Sequence, residues 1–249
     1  MILAGDVGGT KTNLALFRLR GPALMCEEIR SFTTRDFPSL EAILKEFLGG
    51  GSEVDLACVG VAGPVLSGES RLTNLPWAVN EESLRLACGA RRGFLVNDLQ
   101  ATAFAVPHLP PEKLAVLQEG EAEPRGTVAV TAAGTGLGVA FLVRFGKGYL
   151  PFASEGGHVG FSPRDEREAS LHAWLGAQYG RVSAERLVSG PGLFAIYRFL
   201  RETERFPEAP GVDERLSRED PPRVIAEEGQ AGRSAASREA LRVFASLYG

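Results

Sequence analysis

The residues Asp6-Val7-Gly8-Gly9-Thr10-Lys11-Thr12 stand between the apolar run Ile2-Leu3-Ala4 and the run Asn13-Leu14-Ala15-Leu16-Phe17. Read physically, they form a strand, a tight turn and a second strand. Paired glycines allow positive φ and a close approach of backbone to ligand. Consecutive turn amides aim their N–H groups at one spot, which suits a phosphate. Thr10 adds a hydroxyl there and Lys11 a positive charge, while Asp6, at the carboxyl end of the first strand, suits a hydrated metal ion. An ordinary glycine hairpin has the same local sequence, but the pattern returns. Val128-Ala129-Val130-Thr131-Ala132-Ala133 leads to Gly134-Thr135-Gly136-Leu137-Gly138 and then to Val139-Ala140-Phe141-Leu142-Val143. A duplicated strand-turn-strand implies two half-molecules facing each other, with a phosphate chain held between the turns.

A chain of 249 residues can bury a substantial core in one large domain or two ordinary ones, and the duplicated turn favours two. With 44% hydrophobic and 23% charged residues the composition is that of a soluble globular protein. A net charge of −4 and a pI near 5.6 give no electrostatic footprint for nucleic acid. No apolar run reaches the length of a membrane span, and the N-terminus enters strand sequence without a charged-then-apolar leader, so a cytoplasmic protein with no membrane partner is expected. Cys26, Cys58 and Cys88 are odd in number and widely spaced, which argues against disulfides and a zinc knuckle and predicts buried, inert thiols.

Along the chain, Cys26 to Phe32 reads as a third strand. Leu40, Ile43, Leu44, Phe47 and Leu48 recur at helical spacing, opened by Pro38-Ser39 and stopped by Gly49-Gly50-Gly51. Val54 to Val61 is a strand covered on both faces, with the glycine-rich exit Gly60-Val61-Ala62-Gly63-Pro64 at the sheet edge where α/β proteins bind ligands. Leu72 to Trp77 has turn chemistry, with Trp77 as a core plug, and a helix follows from Glu81 to Ala87. Gly93 to Val96 is another buried strand. It ends on Asn97-Asp98 and passes into a helix that Pro107 closes. At this junction Asp98 has two readings, a helix cap or a catalytic base delivered by the strand end. The proline-rich stretch from Pro107 to Pro124 places the domain boundary, giving domains 1–109 and 110–249.

Further on, Glu155-Gly156-Gly157-His158 sets a carboxylate and an imidazole about a bend, a combination suited to a polyhydroxylated ligand. Glu185 by itself is an acid in a helix first turn. Arg164 to Tyr179 and Leu193 to Leu200 carry helical spacing, Thr203 to Pro222 reads as a charged, proline-rich surface excursion, and Ser234 to Tyr248 is a final helix.

Taken together, Asp6-Val7-Gly8-Gly9-Thr10, Leu72-Thr73-Asn74, Asn97-Asp98, Ala133 to Gly138, Glu155-Gly156-Gly157-His158 and Leu187-Val188-Ser189-Gly190-Pro191-Gly192 resemble the bacterial glucokinases of the non-zinc type, within the sugar kinase, actin and heat-shock ATPase superfamily. The resemblance implies an α/β fold of two ribonuclease H-like (actin-like ATPase) domains with a cleft between them. It implies ATP-dependent phosphorylation of glucose at the 6-hydroxyl, feeding glycolysis, with Asp98 as catalytic base and Asn97, Asp98, Glu155, His158 and Glu185 as sugar contacts. ATP would lie on Asp6, Gly8, Gly9, Thr10, Lys11, Gly134, Thr135 and Gly136, with Mg2+ held by Asp6 through water. A homodimer is the assembly it implies. Gly160 to Arg181 contains no cysteine, so the zinc motif of related repressors and kinases is not expected. Relatives continue past the point matching Gly249, through a glycine-rich turn that contacts adenosine. Nothing in this chain matches that C-terminal part; were these 249 residues the whole polypeptide, weakened ATP binding, low activity or compensation by a partner subunit is expected, together with an exposed apolar face around Leu241 and Phe244. Two alternatives stay open, a kinase for another hexose and a catalytically weak sugar-binding regulator.

Overall fold

The computed structural model describes residues 1–21, 23–49, 53–72, 75–121 and 123–249. Gly50 and Gly51 of the expected helix stop, and Thr73-Asn74 of the expected turn motif, lie outside the described residues. By its own packing the chain divides into two compact units, Met1–Val128 with Phe141–Ala153, and Ala129–Ala140 with Ser154–Gly249. The sequence reading draws one boundary, at 109/110; packing draws three, at 128/129, 140/141 and 153/154.

The first unit is built on strands β1 (Ile2–Val7), β2 (Lys11–Arg20) and β3 (Ala23–Thr33), helix α1 (Leu40–Leu48), strands β4 (Leu56–Val61), β5 (Glu69–Arg71) and β6 (Ala78–Asn80), helix α2 (Glu81–Cys88), strand β7 (Arg92–Asn97) and helix α3 (Asp98–Ala105). Five strands form one sheet in the order β3-β2-β1-β4-β7. β1 runs antiparallel to β2, with Val7 opposite Thr12, and parallel to β4, with Asp6 beside Gly60. β4 in turn runs parallel to β7, with Val61 beside Asn97. The register therefore brings the carboxyl ends of β1, β4 and β7 to one edge, where Asp6, the Gly60–Pro64 exit and Asn97-Asp98 sit. This is the mixed α/β sheet that the opening hairpin and the two apolar runs predict.

Local chemistry explains the helices. The Ser39 hydroxyl caps α1 by accepting the Ala42 N–H, Gly49 ends it in the left-handed region at φ 56°, and the stripe Leu40, Ile43, Leu44, Phe47 is buried. Asn80 caps α2 through the Ser83 N–H and Gly89 closes it at φ 61°. These faces join Leu3, Leu14, Val59, Val61 and Leu95 in one core, and Trp77 is buried there as expected. The thiol reading needs one correction. β3 is the outer strand of the sheet and only Phe32 on it is buried, so Cys26 is exposed. Cys88 is buried, and burial pushes its thiol up to about 11.

The chain then adds strands β8 (Val128–Ala133), β9 (Leu137–Phe145) and β10 (Gly148–Ser154), followed by helices α4 (Glu166–Tyr179), α5 (Gly190–Thr203), α6 (Val212–Arg218), α7 (Pro221–Gln230) and α8 (Ala235–Tyr248). The core of the second unit is Leu171, Leu175, Leu187, Ile196, Leu200, Ile225, Ala236 and Ala240, drawn from α4, α5, α7 and α8 and the segment before α5. Two expectations are overturned here. The stretch Thr203 to Pro222 is not a bare excursion: it holds α6, whose Val212 is buried, and it ends on the two prolines that open α7. Proline at the first helical positions lacks an N–H that no helix uses there, and α6 is held by Arg215, which bonds Glu219, Glu227 and Glu228 at 2.8, 2.6 and 2.5 Å. Leu241 and Phe244 are half-buried against the same core instead of forming an exposed face, because α8 lays that side along α5 and α7.

Candidate functional site

The first glycine-threonine turn joins β1 to β2, and the Gly8 N–H closes it on the Lys11 carbonyl at 3.0 Å. Behind it stands Thr34, a residue that carries no signature in the sequence. Its N–H donates to the Thr10 carbonyl at 3.0 Å, and its hydroxyl donates to the Gly8 carbonyl at 2.9 Å. The hydroxyl of Thr12 completes the relay at 2.9 Å from that of Thr34, and both threonines are fully buried. Asp6 is exposed at the strand end; the Asn13 amide donates to its carboxylate at 3.4 Å, and the Ser31 hydroxyl donates to Asn13 at 2.7 Å. Gly8, Gly134 and Gly136 do not use the positive φ that glycine allows. At Gly8 the turn requires room, since a Cβ there would sit 3.2 Å from the Lys11 carbonyl, whereas one on Gly134 would meet nothing within 4 Å.

At the end of β7 the two readings of Asp98 separate. Asn97, with extended backbone at φ −64° and ψ 144°, is the cap of α3, and its Oδ1 accepts the N–H groups of Leu99 and Gln100 at 3.1 and 3.2 Å. Its amide nitrogen donates to the Gly63 carbonyl at 3.1 Å and so ties the exit of β4 to the start of α3. Asp98 follows as the first helical residue. One carboxylate oxygen accepts the Leu99 N–H at 2.7 Å, and the other has no partner among the described residues. The side chain is exposed. With the capping duty on Asn97, one oxygen of the exposed Asp98 carboxylate is left open to a hydrogen-bond donor.

In the second unit the turn Gly134-Thr135-Gly136 closes through the Gly134 N–H on the Gly136 carbonyl at 2.8 Å, and the Gly134 carbonyl accepts the Gly190 N–H of α5 at 2.7 Å. Gly156-Gly157-His158 is a single 3-10 turn, tighter than the simple bend expected, and it turns the two polar side chains toward each other. His158 Nδ1 lies 3.5 Å from Glu155, and its Nε2 lies 3.7 Å from Glu185 Oε1. Glu155, His158 and Glu185 are 81%, 57% and 31% exposed, so all three present polar atoms to solvent. Gly157 is buried, and a Cβ there would fall on the Leu137 carbonyl. Glu185 also accepts the Leu137 N–H at 3.0 Å.

Against the second turn lies a cavity of about 590 Å3, lined by Gly134 and Thr135, by the apolar side chains of Pro191, Phe194, Pro222 and Phe244, and by the carboxylate of Asp220. Such a mainly apolar hollow is of a size and lining that suits a flat, apolar group. Among the described residues no helix is long and apolar enough to cross a membrane.

The glucokinase family profile matches residues 3–249. The glucokinase of Nostoc punctiforme is 35% identical over 267 residues, spanning 100% of this chain and 78% of its own. That of Chromobacterium violaceum is 36% identical over 249 residues, spanning 99% of this chain and 68% of its own. Among solved structures, the glucokinase of an Antarctic psychrotroph superposes with a TM-score of 0.82 at 27% identity, covering 99% of this chain and 76% of the other.

Proposed function

This chain belongs to the glucokinase family, and from that premise we propose that it transfers the γ-phosphoryl group of ATP to the 6-hydroxyl of glucose. The observation that carries the reading is Asp98, a carboxylate at a strand-to-helix junction whose capping role is filled by Asn97 and whose second oxygen is uncommitted. In the reaction, the 6-hydroxyl proton passes to Asp98 as the hydroxyl oxygen bonds to the γ-phosphorus, and the bond from that phosphorus to the bridging oxygen breaks to release ADP. Glu155, His158 and Glu185 would accept and donate hydrogen bonds to the ring hydroxyls, so that one oxygen is presented to the donor. Asn97 spends its carbonyl oxygen on the helix and one amide proton on Gly63, which leaves the other amide proton for the sugar.

The residues present fit a nucleotide donor. The Gly8 and Gly134 amides are spent inside their turns, and the amides at 9–10 and 135–136 suit its phosphates, with Thr10, Lys11 and Thr135 adding a charge and two hydroxyls, while the apolar hollow lined by Phe194 and Phe244 suits its base. Among the described residues no three carboxylate, imidazole or thiol groups gather into a metal cage. Asp6, exposed at the end of β1, would hold Mg2+ through water, and the ion would supply charge neutralisation at the phosphoryl oxygens when bound. The decisive experiment is Asp98→Asn in a coupled assay for glucose 6-phosphate. Turnover is expected to fall by about 10²- to 10⁴-fold, while glucose affinity by calorimetry stays within about threefold of wild type. Full turnover in that variant would end the assignment, and a faster reaction with another hexose across a sugar panel would replace glucose as the substrate.

A further inference from the structure

The second turn and the sugar loop are joined by one side chain. Glu185 lies 48 residues from Leu137 in sequence, yet its Oε2 accepts the Leu137 N–H at 3.0 Å, directly after the turn Gly134-Thr135-Gly136. Its other oxygen, Oε1, is 3.7 Å from His158 Nε2, beyond a good hydrogen bond and open to a hydroxyl donor. The fit is tight on the turn side: a Cβ on Gly136 would lie 2.5 Å from Glu185 Oε2. A Cβ on Gly136 would therefore displace the carboxylate, the movable end of a flexible side chain, and not the backbone. The loop closes on the same point from below, where Gly157 packs on the Leu137 carbonyl and a Cβ on Gly156 would meet Val139 at 3.1 Å. With the Gly190 N–H on the Gly134 carbonyl at 2.7 Å, the turn is clamped at both ends, once by a helix amide and once by this carboxylate.

We propose that Glu185 is a positioning residue that couples sugar occupancy to the order of the donor turn. The inference rests on the glucose and ATP reading given above. A sugar hydroxyl donating to Oε1 would fix the carboxylate, whose Oε2 then holds Leu137 and the turn amides in the geometry that accepts the donor's phosphates. The coupling is reciprocal by thermodynamic necessity: glucose raises nucleotide affinity and nucleotide raises glucose affinity by the same factor. The clamp seen without ligand is thereby tightened once the acceptor hydroxyls have arrived, which disfavours transfer to water.

The test titrates ADP and glucose by calorimetry, each alone and at saturation of the other, into the wild-type chain and three variants. Wild type should show a coupling factor of about five or more. Glu185→Gln keeps an acceptor oxygen for the Leu137 N–H, so it should bind ADP alone within about twofold of wild type while losing about tenfold or more in glucose affinity. Glu185→Ala should lose affinity for both ligands, and its coupling factor should fall to one. Gly136→Ala lies in the donor turn but pushes the carboxylate away, so it should weaken glucose by about tenfold. Unchanged wild-type melting curves for all three variants exclude misfolding as the cause. If Glu185→Ala binds ADP normally and retains the wild-type coupling factor, the inference is overturned and the kinase reading survives. If the wild-type chain binds neither ligand, the kinase reading itself fails and takes the inference with it.

Discussion

The turn at Gly8-Gly9-Thr10 is supported from behind by neutral groups, the N–H and hydroxyl of Thr34 and the hydroxyl of Thr12, all buried. The turn at Gly134-Thr135-Gly136 is supported by the Gly190 amide at one end and by the partly exposed Glu185 carboxylate at the other. The two carry the same Gly-Thr sequence between two strands, yet one support is sealed and uncharged while the other is charged and reaches the loop of His158. A repeated motif fixes the shape of a turn but not what holds it. Only the second turn has a support that a ligand can also touch.

The largest effect should come from breaking the floor of the second turn. Gly157→Ala places a methyl on the Leu137 carbonyl, and neither backbone can give way without moving the turn. Overpacking of this kind costs about 1–3 kcal/mol or more. For a chain of this size that lowers the melting temperature by about 2–12 °C, and glucose binding should be lost with it. A variant that melts and binds as wild type would show that the contact yields freely.

Thr34→Val, nearly the same shape, should act on the first turn alone. It leaves the Gly8 carbonyl and the buried Thr12 hydroxyl without their partner, at a cost of about 1–3 kcal/mol. The sharp expectation is in the kinetics: KM for ATP should rise about tenfold or less, a loss of one or two hydrogen bonds, while glucose affinity holds. Equal losses for both ligands would mean that the first turn, too, is tied to the sugar residues.

How much of this was legible follows from what each residue must do locally. The first sheet could be read because β4 is a continuous apolar run and α1 carries both a serine cap and a glycine stop. The pair Asn97-Asp98 was visible as a junction, but both residue types cap helices, and only the backbone angles assign the cap to Asn97 and free Asp98. Thr34 was invisible because two threonines after a strand announce nothing. The tie from Glu185 to Leu137 spans 48 residues and involves a backbone amide, which no spacing rule reaches. α6 was missed because its hold is the ion-pair set of Arg215 and one buried valine, and a charged segment flanked by prolines looks like a loop.

The smallest effect concerns acid, and it extends the contrast from the turns to the units that carry them. In the second unit, hydrogen bonds from Arg242 and then Arg167 hold the Glu239 carboxyl down at about 2, Arg215 and then Arg223 hold Glu219 at about 2, and Arg164 and Arg233 lower Glu168 and Glu228. A carboxylate whose folded pKa lies below its ordinary 4.5 contributes stability that is complete above that value and is lost as the pH falls through the folded value, here between about 4.5 and 2. The first unit has fewer such groups, Asp55 held by the N-terminal amine, Glu82 by Arg85, and Glu41, whose burial works against the hydrogen bonds that lower it. The second unit should therefore loosen first on acidification. The protein's two tryptophans divide between the units, Trp77 in the first and Trp174 in the second, so Trp77→Phe and Trp174→Phe variants give one reporter each. Fluorescence titrated downward from pH 6 should show the Trp174 transition at a higher pH than that of Trp77. Coincident midpoints would mean that the arginine network contributes nothing separate to the second unit, and the reverse order would place the acid-sensitive contacts in the first.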